Sequence, residues 1–242
     1  MHEGYDVLAV GDVVTDAFIK LLPHQAEIDT TEDAGHHPLL CMVYGTKIPF
    51  EDSVILAGVG NAANAAVASA RLGLKTSFCS NIGDDHVGRD IVRTLHGGHI
   101  ATDLIRIHEG KKSNYHYVLW YEADRTILIK HESYQYHWPR IASHNMPRWM
   151  YLSSLAESAE PLYGEIVDFL EKNNSVQLAF QPGTFQMKLG THKLAKLYKK
   201  TAILACNKEE AQLISGSSSD DITVLTKALH RLGPKTVVIT DG

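Results

Sequence analysis

The stretch "ILAGVGNAANAAVASARLGLKTSFCSNIGDD", Ile55 to Asp85, decides the fold. A short apolar run meets glycines, an alanine-rich segment follows, and a second apolar run ends at Gly83-Asp84-Asp85. Gly58, Gly60 and Ala63 spell G-x-G-x-x-A, so the first question is whether this turn cradles a dinucleotide. That fingerprint sits in the first strand-to-helix turn of its domain, with an acidic residue about 20 positions further on. Here an earlier strand, "DVLAVG", precedes the glycines, and Asp84 falls in a turn beyond the next strand. A lone glycine motif is too unspecific to outweigh both departures.

Outward from this segment, strand-like and helix-like runs alternate. "YDVLAVG" reads as a buried strand and "VVTDAFIKL" as a second, whereas Pro23 to Asp52 is polar and irregular. "ILAG" reads as a short strand, Asn61 to Leu72 as a helix closed by Gly73, and "KTSFCSNIG" as a strand. "HVGRDIVRTLHGG" is an amphipathic helix stopped by paired glycines. "DLIRIHE", "SNYHYVLWYE" and "RTILIKHE" are three strands in succession, the last two joined by a hairpin-like turn at "ADR". Beyond them the strands "WMYLSSL", "VQLAF", "TAILACN" and "KTVVITDG" are separated by helical stretches. Such alternation predicts a parallel sheet covered on both faces. The consecutive strands near 103–131, with the one near 13–19, break the rhythm and are expected to form a small sheet projecting from the core. The expectation is one α/β domain over 1–242 with a β lid from about 12–20 and 111–132.

Composition narrows the function. The 242 residues are 44% hydrophobic and 21% charged, enough for a sizeable core, with a net charge of −5 and no basic stripe, which argues against a nucleic-acid partner. No apolar run approaches the ~20 residues of a membrane helix, and the first residues lack a signal-peptide pattern. Cys41, Cys79 and Cys206 are odd in number and far apart, so neither a disulfide framework nor a zinc site is expected, and a cytoplasmic location is. The fourteen histidines, including the pair His36 and His37 and the glycine-flanking His96 and His99, show no metal-ligand spacing.

The segment "GVGNAANAAVASARLGLKTSFCSNIGDDHVGRDI" resembles the first signature of the ribokinase-like (PfkB) carbohydrate kinases. In that family a Gly-Gly-x-x-x-Asn turn feeds an alanine-rich helix, and Gly-Asp-Asp-x-x-Gly follows the next strand. Here the turn runs from Val59 to Asn64, with valine in place of the first glycine, and the later motif from Gly83 to Gly88. The resemblance continues in order along the chain, through "AVGDVVTDAFI", the lid strands, "LAFQPGTF" with Gln181 where the family has asparagine, "ACNKEEAQLISG" and "VVITDG". It implies a three-layer ribokinase-like fold, a small sugar or nucleoside substrate, and ATP with Mg²⁺ as cofactors.

Residue by residue, the resemblance places Asp16, Gly60, Asn61 and Asn64 at the substrate, and Asn207, Glu210, Thr240 and Gly242 at ATP. Glu210 would act on Mg²⁺ through its waters, which suits a cation that keeps several of them. The chemistry fits these residue types. A carboxylate accepts hydrogen bonds from neighbouring hydroxyls, an amide both donates and accepts, and small residues at Gly60, Ala62 and Ala63 let the backbone approach a ring. No basic cluster near Asp16 or Asn64 asks for a phosphorylated sugar, so a neutral one is expected. Tyr115, Tyr117, Trp120 and Tyr121 would pack within the lid, against a second lid in a homodimer, or against substrate.

The family's second signature, roughly Asp-Thr-x-Gly-Ala-Gly-Asp, supplies the catalytic base, and nothing in these 242 residues matches it. No catalytic residue is therefore assigned, and the C-terminal part of the fold is expected to be missing. Two readings follow. The chain supplies the sugar site, the lid and part of the nucleotide site of an ATP-dependent sugar kinase, or it is a relative that binds a sugar or nucleoside without phosphorylating it.

Overall fold

A computed structural model of the chain describes residues 3–30 and 38–241. His36, His37 and Gly242 lie outside the described residues. In chain order the elements are β1 (Val7–Val10), β2 (Val14–Leu21), β3 (Glu27–Asp29), β4 (Leu39–Cys41), β5 (Phe50–Val59), α1 (Asn61–Arg71), β6 (Thr76–Gly83), α2 (His86–Gly97), β7 (Ala101–His108), β8 (Tyr115–Tyr121) and β9 (Asp124–Leu128). They continue with β10 (Trp149–Leu152), α3 (Glu160–Lys172), β11 (Gln177–Phe180), α4 (Thr184–Lys193), α5 (Ala195–Lys200), β12 (Thr201–Asn207), α6 (Lys208–Ser215), α7 (Ile222–His230) and β13 (Thr236–Thr240).

Seven strands form one sheet in the order β13-β12-β11-β10-β1-β6-β7, and every neighbouring pair is parallel. The chain enters in the middle at β1, winds outward to β7, then returns to β10 and winds to the other edge. The reversal lies between β1 and β10, and open α/β sheets bind ligands beyond the carboxyl ends of strands at such a point. Alternate residues of β1 feed two cores. Leu8 and Val10 join Met150, Leu152, Phe180 and Leu204 under α3, α5, α6 and α7. Ala9 joins Phe78 and Ile82 under α1 and α2. Helices thus cover both faces of the sheet, as the alternation predicts.

Ala62, Ala63 and Ala66 are the buried face of α1. A Cβ on Gly11 would lie 2.6 Å from that of Ala62, so small residues on both sides set how closely α1 sits on β1. Ala62 and Ala63 therefore serve helix–sheet packing, which corrects the expectation that they open space for a ring. In α2, Val87, Ile91 and Leu95 form the buried stripe at i, i+4 spacing.

The second sheet has four strands in the order β5-β2-β8-β9. β2 runs antiparallel to β5 and parallel to β8, and β8 and β9 form a hairpin whose two-residue loop is Glu122-Ala123. Two boundaries differ from expectation. The segment from residue 103 belongs to β7, the edge of the central sheet. The lid gains β5, whose ten residues begin inside the stretch read as irregular. Glu51 and Asp52 read as loop because an exposed edge strand needs no apolar pattern, only a partner for its backbone. β2 supplies that partner from Val14 opposite Val59 to Leu21 opposite Phe50. Within the same stretch β3 and β4 form a small hairpin. Tyr121 anchors its start by donating to the carbonyls of Pro23 (3.0 Å) and Ala26 (2.7 Å).

The lid is latched at its root. Asp85 caps α2 by accepting from the Gly88 amide at 2.9 Å, and it also accepts from the Ser113 hydroxyl (2.7 Å) and amide (3.1 Å). The Ser113 hydroxyl in turn accepts from the Gly83 amide at 3.0 Å. Partial burial pushes the Asp85 carboxyl up, but the hydrogen bonds from Ser113 and Gly88 prevail and hold it below its usual range. Asn114, 1% exposed, donates to the Val13 carbonyl (3.2 Å) and accepts from the Glu132 amide (2.8 Å), joining the approaches to β2 and β8 with the chain leaving β9. The Gly83–Gly88 motif thus fixes where the lid leaves the core. Among the described residues no helix is long and apolar enough to cross a membrane.

Candidate functional site

Between the lid and the carboxyl ends of β1, β10 and β11 lies a cleft of about 470 Å³. Its chemistry comes from four chain segments that only the fold brings together. Asp12 follows β1 and is 7% exposed. Its Oδ1 accepts from the Tyr136 hydroxyl and its Oδ2 from the Ala156 amide, each at 2.7 Å. Burial and the Asp12 charge push the Tyr136 hydroxyl far up, so it stays a donor. Asp12 is thereby committed on both oxygens and braces the wall of the cleft.

Asp16 has no such commitment. It lies on β2 in register with His116 of β8, and its Oδ1 is 3.3 Å from His116 Nδ1. Asp16 Oδ1 and His116 Nε2 are nevertheless buried without a hydrogen-bond partner. Unmatched polar atoms of this kind cost free energy until something completes them. His131 stands behind this pair, its ring edge-on to His116 at 5.3 Å and to Phe185 at 5.7 Å. Its Nδ1 lies 3.7 Å from Asp12 Oδ2. Lys188 completes the opposite wall, its ammonium 5.6 Å from the centre of the Phe185 ring.

Of the residues expected at the substrate, Asp16, Gly60 and Asn61 line this cleft. Gly60 precedes α1 with φ +111°, and a Cβ there would meet the Asp12 carbonyl oxygen at 3.1 Å, so the path of the turn itself requires glycine. Asn64 is exposed one turn into α1, where its amide donates to the Gly60 carbonyl at 2.8 Å, and it does not line the cleft. Gln181 is held by its amide to the Leu152 carbonyl (2.9 Å) and by its side chain to the Tyr151 hydroxyl. The lid aromatics do not line the cleft either. Strand alternation puts His116 beside Asp16 and turns Tyr115, Tyr117 and Tyr121 to the other face. Trp120 lies further out, beside a shallow hollow with Phe18, Val54 and Leu56.

The residues expected at a nucleotide gather at the carboxyl ends of the neighbouring strands. Asn207 ends β12 and caps α6, its Oδ1 accepting from the Glu210 amide at 2.7 Å while Glu210 Oε2 accepts from the Asn207 amide at 2.9 Å. This reciprocal capping box holds both side chains at the positive end of the helix. Thr240 of β13 lies in register beside Asn207. Both are exposed. Among the described residues no cluster of three or more His, Cys, Asp or Glu side chains could cage a metal ion.

Asp12, His116, His131 and Lys188 were not legible as site residues. Asp12 carried one signal, its place directly after the first strand and its glycine. The others depend on strand register and on where the β9 exit and α4 meet, which sequence spacing does not encode.

Comparison with known proteins agrees with this architecture. The profile of the pfkB family carbohydrate kinases matches residues 52–242. A ribokinase of Mus musculus is 25% identical over 200 residues, 76% of this chain and 57% of that protein. The chain thus spans little more than half the length of that relative. A 5-dehydro-2-deoxygluconokinase of Bacillus cereus is 48% identical over a local stretch of 48 residues, 20% of this chain and 14% of that one. The solved structure of Arabidopsis thaliana ribokinase with ribose and ATP superposes with a TM-score of 0.71 at 20% identity, covering 98% of this chain and 72% of that one. At that identity it shows a shared fold.

Proposed function

This chain belongs to the pfkB family of carbohydrate kinases, and from that premise we propose that it binds a small sugar beneath its lid for phosphoryl transfer from ATP to a sugar hydroxyl. The observation that carries the reading is Asp16, whose Oδ1, 3.3 Å from His116 Nδ1, is buried without a hydrogen-bond partner beside a cleft of about 470 Å³. A pair of adjacent sugar hydroxyls would donate to that carboxylate and relieve the unmet acceptor. Asn61 at the mouth of α1 would add a donor and an acceptor. The lid strands, latched through Ser113 and Asn114, would shield the acceptor hydroxyl from water, against which phosphoryl transfer competes. Asn207, Glu210 and Thr240 would receive the nucleotide at the ends of β12 and β13, a reading supported by the shared fold with the Arabidopsis ribokinase that was solved with ATP.

The residues present fit magnesium held through its waters. The capping box uses only one oxygen of Glu210, which leaves the other to accept from the ion's waters. When bound, the ion would neutralise phosphate charge. The base that takes the hydroxyl proton is not assigned to any residue of this chain, so the chain by itself is expected to bind sugar with little or no turnover. The non-catalytic reading predicts the same binding and differs only in the activity of the longest native product.

Titration calorimetry with D-ribose, D-fructose and adenosine tests the site. Heat with one of them that Asp16→Asn abolishes supports the reading, and a coupled ADP assay then separates kinase from binder. No Asp16-dependent binding of any would overturn it. The same lid suits a second copy of this chain. Val54, Leu56, Trp120 and Ile127 share one lid face and are each between 41% and 49% exposed, an apolar patch that a partner lid would cover. Light scattering should then give twice the monomer mass, and Leu56→Glu should return the monomer.

A further inference from the structure

We propose, building on that reading, that the sugar taken by this cleft carries a carboxylate, and that Lys188 is the residue that selects it. The cleft is electrically two-ended. At one end Asp16 faces His116 at 3.3 Å and retains a buried acceptor for hydroxyls. At the other, Lys188 lies over the Phe185 ring and has no carboxylate within ion-pair distance among the described residues. Asp12, which also lines the cleft, makes no ion pair with it; its oxygens accept from Tyr136 and Ala156. His131 bridges the two ends, 5.3 Å from His116 and 5.7 Å from Phe185 between ring centres. A neutral polyol would satisfy Asp16 and leave the exposed ammonium to water. A polyhydroxy acid would satisfy both ends at once.

The same cationic end could face a phosphate, either on the sugar or on the nucleotide. A carboxylate is favoured because one ammonium matches a monoanion, and no arginine lines the cleft to hold a dianion by its paired donors. This revises the expectation of a neutral sugar. Lys188 lies more than a hundred residues from Asp16 and Asn64, so no basic cluster is visible near either in the sequence.

The test uses two probes that differ only at one end, D-gluconate and D-glucitol, titrated calorimetrically into the full chain at low ionic strength. Gluconate is expected to bind at least tenfold more tightly. Lys188→Met, which keeps an apolar stem on Phe185, should reduce gluconate to the affinity of glucitol and leave glucitol unchanged, and Lys188→Arg should restore the preference. Asp16→Asn should weaken both probes. Lys188 is exposed, so these variants should fold, which circular dichroism checks. Equal affinity of the two probes, or a gluconate affinity indifferent to Lys188→Met, would overturn the proposal. So would Lys188-dependent binding of inorganic phosphate without gluconate binding, which would assign the lysine to a phosphoryl group. Asp16-dependent binding of D-ribose with no response to gluconate would leave the sugar site standing and remove only the acid preference. No Asp16-dependent binding of any probe would remove both.

Discussion

Replacing Asp85 by alanine removes three acceptor contacts together, to Gly88 N–H at 2.9 Å, the Ser113 hydroxyl at 2.7 Å and Ser113 N–H at 3.1 Å. Hydrogen bonds to a charged group contribute about 1.5–3 kcal/mol each, and loss of a helix N-cap costs ~1 kcal/mol. The three share one partly exposed carboxylate, and water can reach part of the space vacated, so a net loss of about 3 kcal/mol is expected rather than the simple sum. In a domain of this size that lowers Tm by roughly 6–12 °C. Asp85→Asn keeps an acceptor for the cap and should cost about half as much. The sign with pH is fixed. The folded carboxyl is held below its ordinary value, so its stabilisation is complete above the unfolded pKa of about 3.9 and is lost as pH falls through the folded value. The Tm gap between wild type and Asp85→Asn should therefore be flat from neutral pH to about 5 and close below ~4. Ser113→Ala combined with Asp85→Ala should show a coupling of about 1–2 kcal/mol in a double-mutant cycle. Differential scanning calorimetry reads all of these. A Tm change under 2 °C for Asp85→Ala (about what 1 kcal/mol produces), or strict additivity with Ser113→Ala, would refute the latch.

Three further outcomes are expected. Gly60→Ala forces a side chain into φ +111° with its Cβ 3.1 Å from the Asp12 carbonyl oxygen, and should cost about 1–3 kcal/mol in urea unfolding; an unchanged midpoint would mean the turn can take another path. Burial pushes the Cys79 thiol up to about 12 and, with the charge of Glu210, the Cys206 thiol up to about 11, so at pH 8 a disulfide reagent should titrate only Cys41 quickly; rapid reaction of all three thiols would contradict the burial. Asn207→Ala opens the capping box and should cost about 1 kcal/mol, with Asn207→Asp costing less; equal losses for both would show that the cap is not what holds α6.

Much of the architecture was legible because it follows from local pattern. Strand–helix alternation predicts the parallel sheet, and Val87, Ile91 and Leu95 mark the buried face of α2 at helical spacing. Gly60 and the Asn207–Glu210 pair stood out because each belongs to a short contiguous motif that resembles the family's. Grouping the strand from residue 103 with the projecting strands does not hold, because periodicity reports that a strand is half-buried, not which sheet it joins. β5 was cut short because an exposed edge strand carries no hydrophobic alternation.

Contiguous residues carry the family signature, the α/β class and the order of the motifs. Which side chains meet depends on pairings between distant segments. Register between β2 and β8 sets His116 beside Asp16, although 100 positions separate them. The return of the chain at α4 then brings Lys188 to the opposite wall. A single residue's slip in that register would turn His116 to the other face of the lid, because strand side chains alternate with period two. The polarity of the cleft is therefore a consequence of long-range pairing, which no local spacing in the sequence records.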